Sequence, residues 1–541
     1  MSASWRTGLV GCAIAAMAIA QVPPANPPAT PPVEKPAEKP PEKPADKPVL
    51  PDLGQPAAVP DGAPPHLAKI DRDGLRAHAY WLADDARGGR HTTSDGQAQT
   101  VKYVTDHFKK LGLKPLGDKK TFLQSYPLQR TWLDEGSLTF ATTKLERDLA
   151  VVAADDAKVQ LAGRFVWCGN GAPGAVPSGL AGKIPVLVIT GAGDGAAAGN
   201  DLQALQRYTD ISKQLDKQGA TAGVVCLLAD TGAFGNALTT RAFLPDHARL
   251  RYGSGGGGRE RGLPVKVPLL VLSAISSRPL LQHLGVTLDG DGKPQPPTND
   301  RATGKVSIAV KADDKGVGVN VVGVLEGTTR KAEAVVFSAH HDHIGRRLDG
   351  DVFNGADDNA SGTSGLLELA EAFATGSKPE RSIVFLSVSG EELGLWGSDW
   401  YGAHPTWPLD KIVANVNIDM IGRAGAGDGG AILMQVTPSH QHDKYSTIVR
   451  DAVGLAKRFQ ITFSSGDQYY ARSDHYNFAK HGVPVVFFCD GEHPDYHQVT
   501  DTPDRLDYAK MEAVARLAFW TGWQVATNKG RPQELGAQPG W

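Results

Sequence analysis

Histidines and carboxylates gather in short runs in the second half of the chain. They occur in Ala339-His340-His341-Asp342-His343, in Gly355-Ala356-Asp357-Asp358-Asn359-Ala360-Ser361-Gly362 and in Ser389-Gly390-Glu391-Glu392. Imidazole and carboxylate are the donors zinc takes where thiolates are absent. In the first run the His-x-Asp spacing adds a carboxylate, Asp342, able to orient the ring of His340 from behind; a histidine satisfied within a loop is the plain alternative. In the second run Asn359 or Ser361 fits the ordinary role of a helix cap. Asp357 does not, because it stands further from the helical pattern than a cap should. Glu391 and Glu392 leave a strand end in different directions, so one suits a metal and the other the proton transfer from a bound water. Exposed Glu pairs are, taken alone, more often solvated surface.

Such residues need a scaffold that delivers them to one place. From about Val306 to Asn528 strongly apolar runs alternate with helical patterns, which predicts an α/β fold: a doubly wound, mostly parallel sheet covered on both faces. Strands are expected at Ala334–Ser338, Ile383–Val388, Ile412–Ile418 and Val483–Phe488, and helices at Ser361–Ala374, Lys444–Lys457 and Asp507–Val525. Ligands of open sheets bind beyond the carboxyl ends of the strands. The first strand runs into His340, the second into Glu391-Glu392, the third into Asp419, and the fourth leads through Gly491 and Tyr496 to His497. Chemistry-bearing side chains thus follow four expected strands at one end.

The rest of the chain divides by composition. Residues 1–20 hold one cation, Arg6, then an apolar run ending in Ala18-Ile19-Ala20, which reads as a signal peptide. Leu9-Val10-Gly11-Cys12 offers a competing lipoprotein reading, and membrane contact is expected only if Cys12 is lipidated. Residues 21–65, rich in Pro, Ala, Lys and Glu, read as a polyproline-like spacer. A folded part begins near His66, with Tyr103, Val104, Phe108 and Leu111 at helical spacing before Gly112. Residues 66–127 and 306–528 are assigned to one domain, and 529–541 to a tail. Residues 128–300 change texture to short apolar strands, including Ile184–Ile189 and Gly223–Leu228, and read as an inserted β-rich module. The Gly253–Gly258 run lacks the strand and helix context of a phosphate loop. After signal cleavage Cys168, Cys226 and Cys489 remain, so at most one internal disulfide forms, with Cys168–Cys226 and three buried thiols both open. The formal net charge of −3 gives no overall attraction to nucleic acid or anionic lipid.

Together these motifs, with Asn417-Ile418-Asp419-Met420, Ser473-Asp474-His475 and His497-x-x-x-Asp501-Thr502, resemble the zinc metallopeptidase family that holds bacterial leucyl aminopeptidases, glutamate carboxypeptidases and glutaminyl cyclases. The resemblance covers about 66–127 and 306–525. It implies a zinc-peptidase, phosphorylase/hydrolase-like fold and two zinc ions per chain. Asp357 would bridge them, with His340 and Asp419 completing one site and Glu392 and His497 the other. It implies Glu391 as the base and Asp342 as the acid behind His340, and a strained or cis Asp357-Asp358 peptide. Tyr470, three residues before Ser473, stands where related aminopeptidases place an oxyanion donor; Tyr469 is its neighbour, and a tyrosine packed in the pocket wall is the alternative. His341, His343 and His475 match no ligand position. The segments Leu180–Val186 and Gln218–Val225 are similar to the core pattern of a protease-associated (PA) domain, which implies a non-catalytic lid or specificity element.

The function so implied is that of a secreted, periplasmic or envelope-associated di-zinc aminopeptidase acting on peptides or small proteins through a metal-activated water. Rivals are a glutaminyl cyclase, a carboxypeptidase or dipeptidase of the same family, and a non-catalytic receptor-like protein. The receptor reading expects lost ligands or a lost base, whereas every expected position is filled.

Overall fold

The structure, a computed structural model, describes residues 53–541 except 56, 191–200, 230–237, 239–241, 246–247, 254–263 and 424–431. The expected signal peptide with Cys12, the spacer up to residue 52 and most of the Gly253–Gly258 run lie outside the described residues. Among those described, no helix is long and apolar enough to cross a membrane.

Unbroken apolar runs form the centre of a large sheet. Strand Arg330–His340 lies between Arg381–Val388 and Ile412–Ile418, parallel to both, and Ile412–Ile418 is parallel to Val485–Cys489. Every residue of Arg381–Val388 and Ile412–Ile418 is buried, because helices cover both faces and leave no solvent side to favour polar alternation. On one face lie helices Arg72–Leu82, Gly362–Thr375 and Tyr508–Thr527, in one core with Phe337, Phe385 and Val416. The pairing His340↔Val388 ends two of the strands side by side. Ile418↔Phe488 does the same for the next two. The four carboxyl ends therefore share one edge, as the spacing of the motifs requires.

The expected elements form with small shifts at their ends. The strand expected at Ala334–Ser338 runs through His340, which makes that histidine the last residue of a rigid strand. The helix expected from Ser361 begins at Gly362, where a Cβ would lie 2.4 Å from the carbonyl oxygen of Ile418. Only glycine lets this helix start so close to the neighbouring strand.

Residues 128–300 are not simply β-rich. Strands Lys158–Trp167, Ile184–Ile189, Gly223–Leu227 and Leu269–Leu272 are successively parallel, with helices Asp201–Lys217 and Ala274–Leu284 between strands or following them. The 23-residue strand Thr303–Leu325 pairs with both this segment and Arg381–Val388. Strand Leu123–Phe140 runs alongside it, so the 127/128 boundary falls within a strand. Cys168, Cys226 and Cys489 are free and buried.

Candidate metal centre

Two groups of donors meet at the common strand edge: His340, Asp358 and Asp419, and His343, Asp358, Glu392 and His497. In the first, His340 Nε2 lies 3.3 Å from Asp358 Oδ1 and 3.2 Å from Asp419 Oδ1. In the second, His497 Nε2 lies 3.1 Å from Asp358 Oδ2 and 2.9 Å from Glu392 Oε2. Zinc with ligands at 2.0–2.2 Å in tetrahedral array sets its donors roughly 3.3 Å apart, close to these separations. His497 Nε2 is buried and makes no hydrogen bond to any described residue, so it faces its carboxylates without binding them as a donor. The donor set and this orphaned nitrogen both fit a pair of metal ions sharing Asp358.

The structure corrects the expected register by one residue. Asp358, not Asp357, reaches both groups. Asp357 Oδ1 accepts from Gly422 N (2.6 Å) and its Oδ2 lies 3.2 Å from His493 Nε2, in a separate buried cluster. The loop is fixed by Asp501, whose carboxylate accepts from Asp357 N (3.1 and 3.0 Å) and from Asp358 N (3.2 Å). With the backbone so held, successive side chains leave it in different directions. The cis peptide is likewise Asp358-Asn359, one residue beyond the expected bond.

The remaining expected residues take these places. Asp342 is buried behind His340, but its carbonyl oxygen lies nearer to His340 Nδ1 (3.2 Å) than its carboxylate does (3.7 Å). That carboxylate instead accepts from Thr92 Oγ1 (3.0 Å) and Glu391 N (3.3 Å), tying the His340 loop to the Glu391 loop. Ser473 donates to Asp419 Oδ2 (2.7 Å) and accepts from Asn417 (2.9 Å). Glu391 Oε2 is 3.9 Å from His340 Nε2 and lines a pocket with Asp358, Asp419, Met420, Tyr469 and Tyr496. Tyr470 is not among the residues lining this pocket; its ring packs against His442, His475 and Tyr476. Tyr469 lines the pocket instead: residues 467–469 form one tight turn, and Tyr469 but not Tyr470 is among the pocket's lining residues.

Charge at the centre is divided unevenly. Burial pushes Glu391 well above the usual carboxylate range, His340 opposes this, and Asp419 and Glu392 add to it. Burial also disfavours the ionised form of Asp358, but the close approach of His340 and His497 and the charge of His343 overcome it and hold that group well below its ordinary value. Burial and the Asp358 charge act the same way on Glu392, and His497 and His343 reverse them, bringing it to about 2. A carboxyl of raised proton affinity beside carboxylates held ionised is the division of labour acid-base chemistry uses.

Two groups that sequence reasoning left aside are structurally central. Buried Arg90 donates to the carbonyls of His341 (3.1 Å), Leu82 (2.7 Å), Asn354 (2.6 Å) and Gly355 (2.9 Å), clamping both ligand loops. No local motif marks it. His343 lies within the second donor group, and its only sequence signal was its place in the His340 run. His341 and His475 are buried away from the donors: His341 Nδ1 is 2.8 Å from Ser387 Oγ, and His475 stacks on Phe487.

Residues 320–521 match the model of peptidase family M28 and form a domain of that metallopeptidase family. Among curated relatives, a probable leucine aminopeptidase of Arthroderma otae is 29% identical over 227 residues, 40% of this chain and 60% of that protein. Aminopeptidase YwaD of Bacillus subtilis is 24% identical over 242 residues, 43% and 50% respectively. The chain thus spans 50% to 60% of the length of these two relatives. The solved structure of BSAP, a zinc aminopeptidase from Bacillus subtilis, superposes with TM-score 0.52 at 18% identity, covering 85% of this chain and 96% of that one. That likeness is one of fold.

Proposed function

We propose that the chain is an exported di-zinc aminopeptidase that removes N-terminal residues from peptides. The observation that carries this reading is the sharing of Asp358 between two donor groups, with the carboxyl of Glu391, whose proton affinity burial raises, beside them. One metal would be held by His340, Asp358 and Asp419, the other by Asp358, Glu392 and His497. When bound, zinc supplies a Lewis acid for the scissile carbonyl and lowers the pKa of water.

The chain's own residues do the rest. Glu391 takes a proton from the attacking water and passes it to the departing amine, a shuttle typically contributing about 10²–10⁴-fold. Asp342 holds the Glu391 backbone through its N–H and so sets the reach of that carboxyl. Tyr469 accepts from Glu492 N (3.3 Å), which leaves its own proton free to donate to the developing oxyanion. Met420, Phe487 and Cys489 form a buried apolar cluster flanked by Tyr469 and Tyr496, a surface suited to an apolar N-terminal side chain. Residues 128–300 are proposed as a PA-type cover with no catalytic group.

The test is metal content together with hydrolysis of amino-acid anilides and dipeptides, before and after chelation. Close to two zinc ions per chain with chelator-sensitive release of N-terminal residues is expected. A full metal complement with ammonia released from a glutaminyl peptide, and no peptide cleaved, would decide for the cyclase. A chain that takes up no metal and cleaves nothing would return the receptor reading.

A further inference from the structure

Among the described imidazoles at the centre, His343 makes the shortest approach to a carboxylate oxygen. Its ring is buried, and Nδ1 lies 2.6 Å from Glu392 Oε1. The other oxygen, Oε2, is the one 2.9 Å from His497 Nε2. Glu392 is therefore divided: one oxygen toward the ligand cluster, the other toward His343.

We propose that His343 is a positioning residue that donates Nδ1–H to Glu392 Oε1, so that Glu392 offers only Oε2 to the metal it shares with Asp358 and His497. This rests on the metal-centre reading above. A role as a further ligand fits the distances less well. Nδ1 is 3.9 Å from Asp358 Oδ2, and its 2.6 Å approach to Glu392 is a hydrogen-bond length, shorter than the roughly 3.3 Å separating donors around tetrahedral zinc. A contact this short between nitrogen and an ionised carboxylate requires the proton on Nδ1. Nε2 of His343 is buried and makes no hydrogen bond to any described residue, so the ring has one polar task.

The surrounding chain is built to hold this ring. His343 N donates to the carbonyl of Arg90 (3.3 Å), whose guanidinium clamps the same loops. At Gly355, with φ of 54°, a Cβ would stand 2.5 Å from the His343 ring, so the glycine that opens the Asp358 loop also makes room for it. Loss of an outer partner of a metal ligand typically costs about 10–100-fold in affinity.

The experiment is zinc affinity of the full chain, measured against a competing chelator, in wild type and three variants. His343→Ala is expected to weaken one of two zinc ions by about 10–100-fold and leave the other unchanged. His343→Asn places an amide N–H near the Nδ1 position but cannot ligate zinc through that nitrogen; it is expected to restore affinity to within about threefold. His343→Gln, whose amide falls nearer the Nε2 position, is not. On a Glu392→Ala background, His343→Ala is expected to add no further loss. With cobalt in place of zinc, the absorption spectrum of His343→Asn should match that of wild type. An Asn variant as metal-poor as the Ala variant would overturn the proposal in favour of a ligand, and an Ala variant with wild-type affinity at both sites would overturn it outright. If His343→Ala does not fold, the contrast between Asn and Gln decides. A wild-type chain binding no zinc would instead remove the metal-centre reading itself, so the two failures are distinguishable.

Discussion

Asp357 and Asp358 are neighbours in the chain, yet their carboxylates serve different clusters. Asp357 accepts from Gly422 N at 2.6 Å and faces His493, while Asp358 offers Oδ1 to His340 at 3.3 Å and Oδ2 to His497 at 3.1 Å. Both backbone N–H groups are held by Asp501, so neither carboxylate can take the other's place without rebuilding the loop. Asp358→Ala is therefore expected to lose both zinc ions and all measurable hydrolysis. Asp357→Asn should keep both metals and lose about 1–3 kcal/mol of stability, from a buried hydrogen-bond network with one partner changed. Elemental analysis of the two purified variants, with thermal melts, checks this. A metal-free Asp357→Asn beside a loaded Asp358→Ala would reverse the assignment.

The same kind of choice separates Tyr469 from Tyr470. Tyr469 shares the pocket with Glu391, whereas Tyr470 packs among His442, His475 and Tyr476. Removing one oxyanion donor costs about 10²–10³-fold in turnover. Tyr469→Phe should show a fall of that order in kcat with little change in KM, and Tyr470→Phe should stay within about threefold of wild type. Steady-state kinetics on one anilide substrate suffices, and equal losses in both variants would sink the distinction.

Much of this centre is legible in the sequence. His340, Glu391, Glu392 and Asp419 could be read because each follows a run so apolar that only a doubly covered strand explains it, and parallel strands deliver their ends to one edge. Asp358 was missed by one position, because the choice between adjacent acids depends on the loop conformation that Asp501, 143 residues away, imposes on it. Arg90 was missed for a similar reason. Its partners are backbone carbonyls up to 265 residues distant, and carbonyls leave no trace in a sequence. The segment 128–300 shows its short apolar strands most plainly in the sequence. Its helix Asp201–Lys217 is a weaker signal, and the long strand joining it to the rest carries few apolar residues over its middle stretch, Lys311–Lys315.

Metal should matter to stability as well as to rate. Asp358, Glu391, Glu392 and Asp419 are all closely packed in one site faced by the imidazoles of His340, His343 and His497, and a bound cation would offset their mutual repulsion. A ligand that binds only the folded chain stabilises it by an amount that grows with the logarithm of its concentration, about 4.1 kcal/mol at a thousandfold excess over Kd. The melting temperature should therefore fall on chelation and rise again with added zinc in a concentration-dependent way. Melts that are superimposable with and without chelator would show that the donors hold no metal.

Away from the centre, Glu368 and His78 form a pair whose charge state can be tested by pH. Glu368 Oε1 lies 3.6 Å from His78 Nε2, between helices Arg72–Leu82 and Gly362–Thr375. Burial, aided by the charge of Asp71, raises Glu368 to about 8. Burial, aided by His107 and Lys110, lowers His78 to about 3. At neutral pH both groups are thus largely uncharged, and the contact is not an ion pair. The unfolded chain releases the Glu368 proton near its ordinary value of 4.5, while the folded chain keeps it up to about 8. The folded state then binds more protons, so this contribution is fully present below 4.5 and is lost as pH rises to 8, at up to about 1.4 kcal/mol per pH unit. His78 acts in the opposite sense: its folded value lies below 6.5, so its contribution is lost as pH falls from 6.5 toward 3. Between 4.5 and 6.5 the two slopes oppose each other; above 6.5 only the loss from Glu368 remains. Glu368→Gln should therefore gain in melting temperature relative to wild type as pH rises from about 5.5 to 8.5, with the zinc-loaded protein compared at each pH. A difference between variant and wild type that stays constant across this range would mean that Glu368 is already ionised in the folded chain.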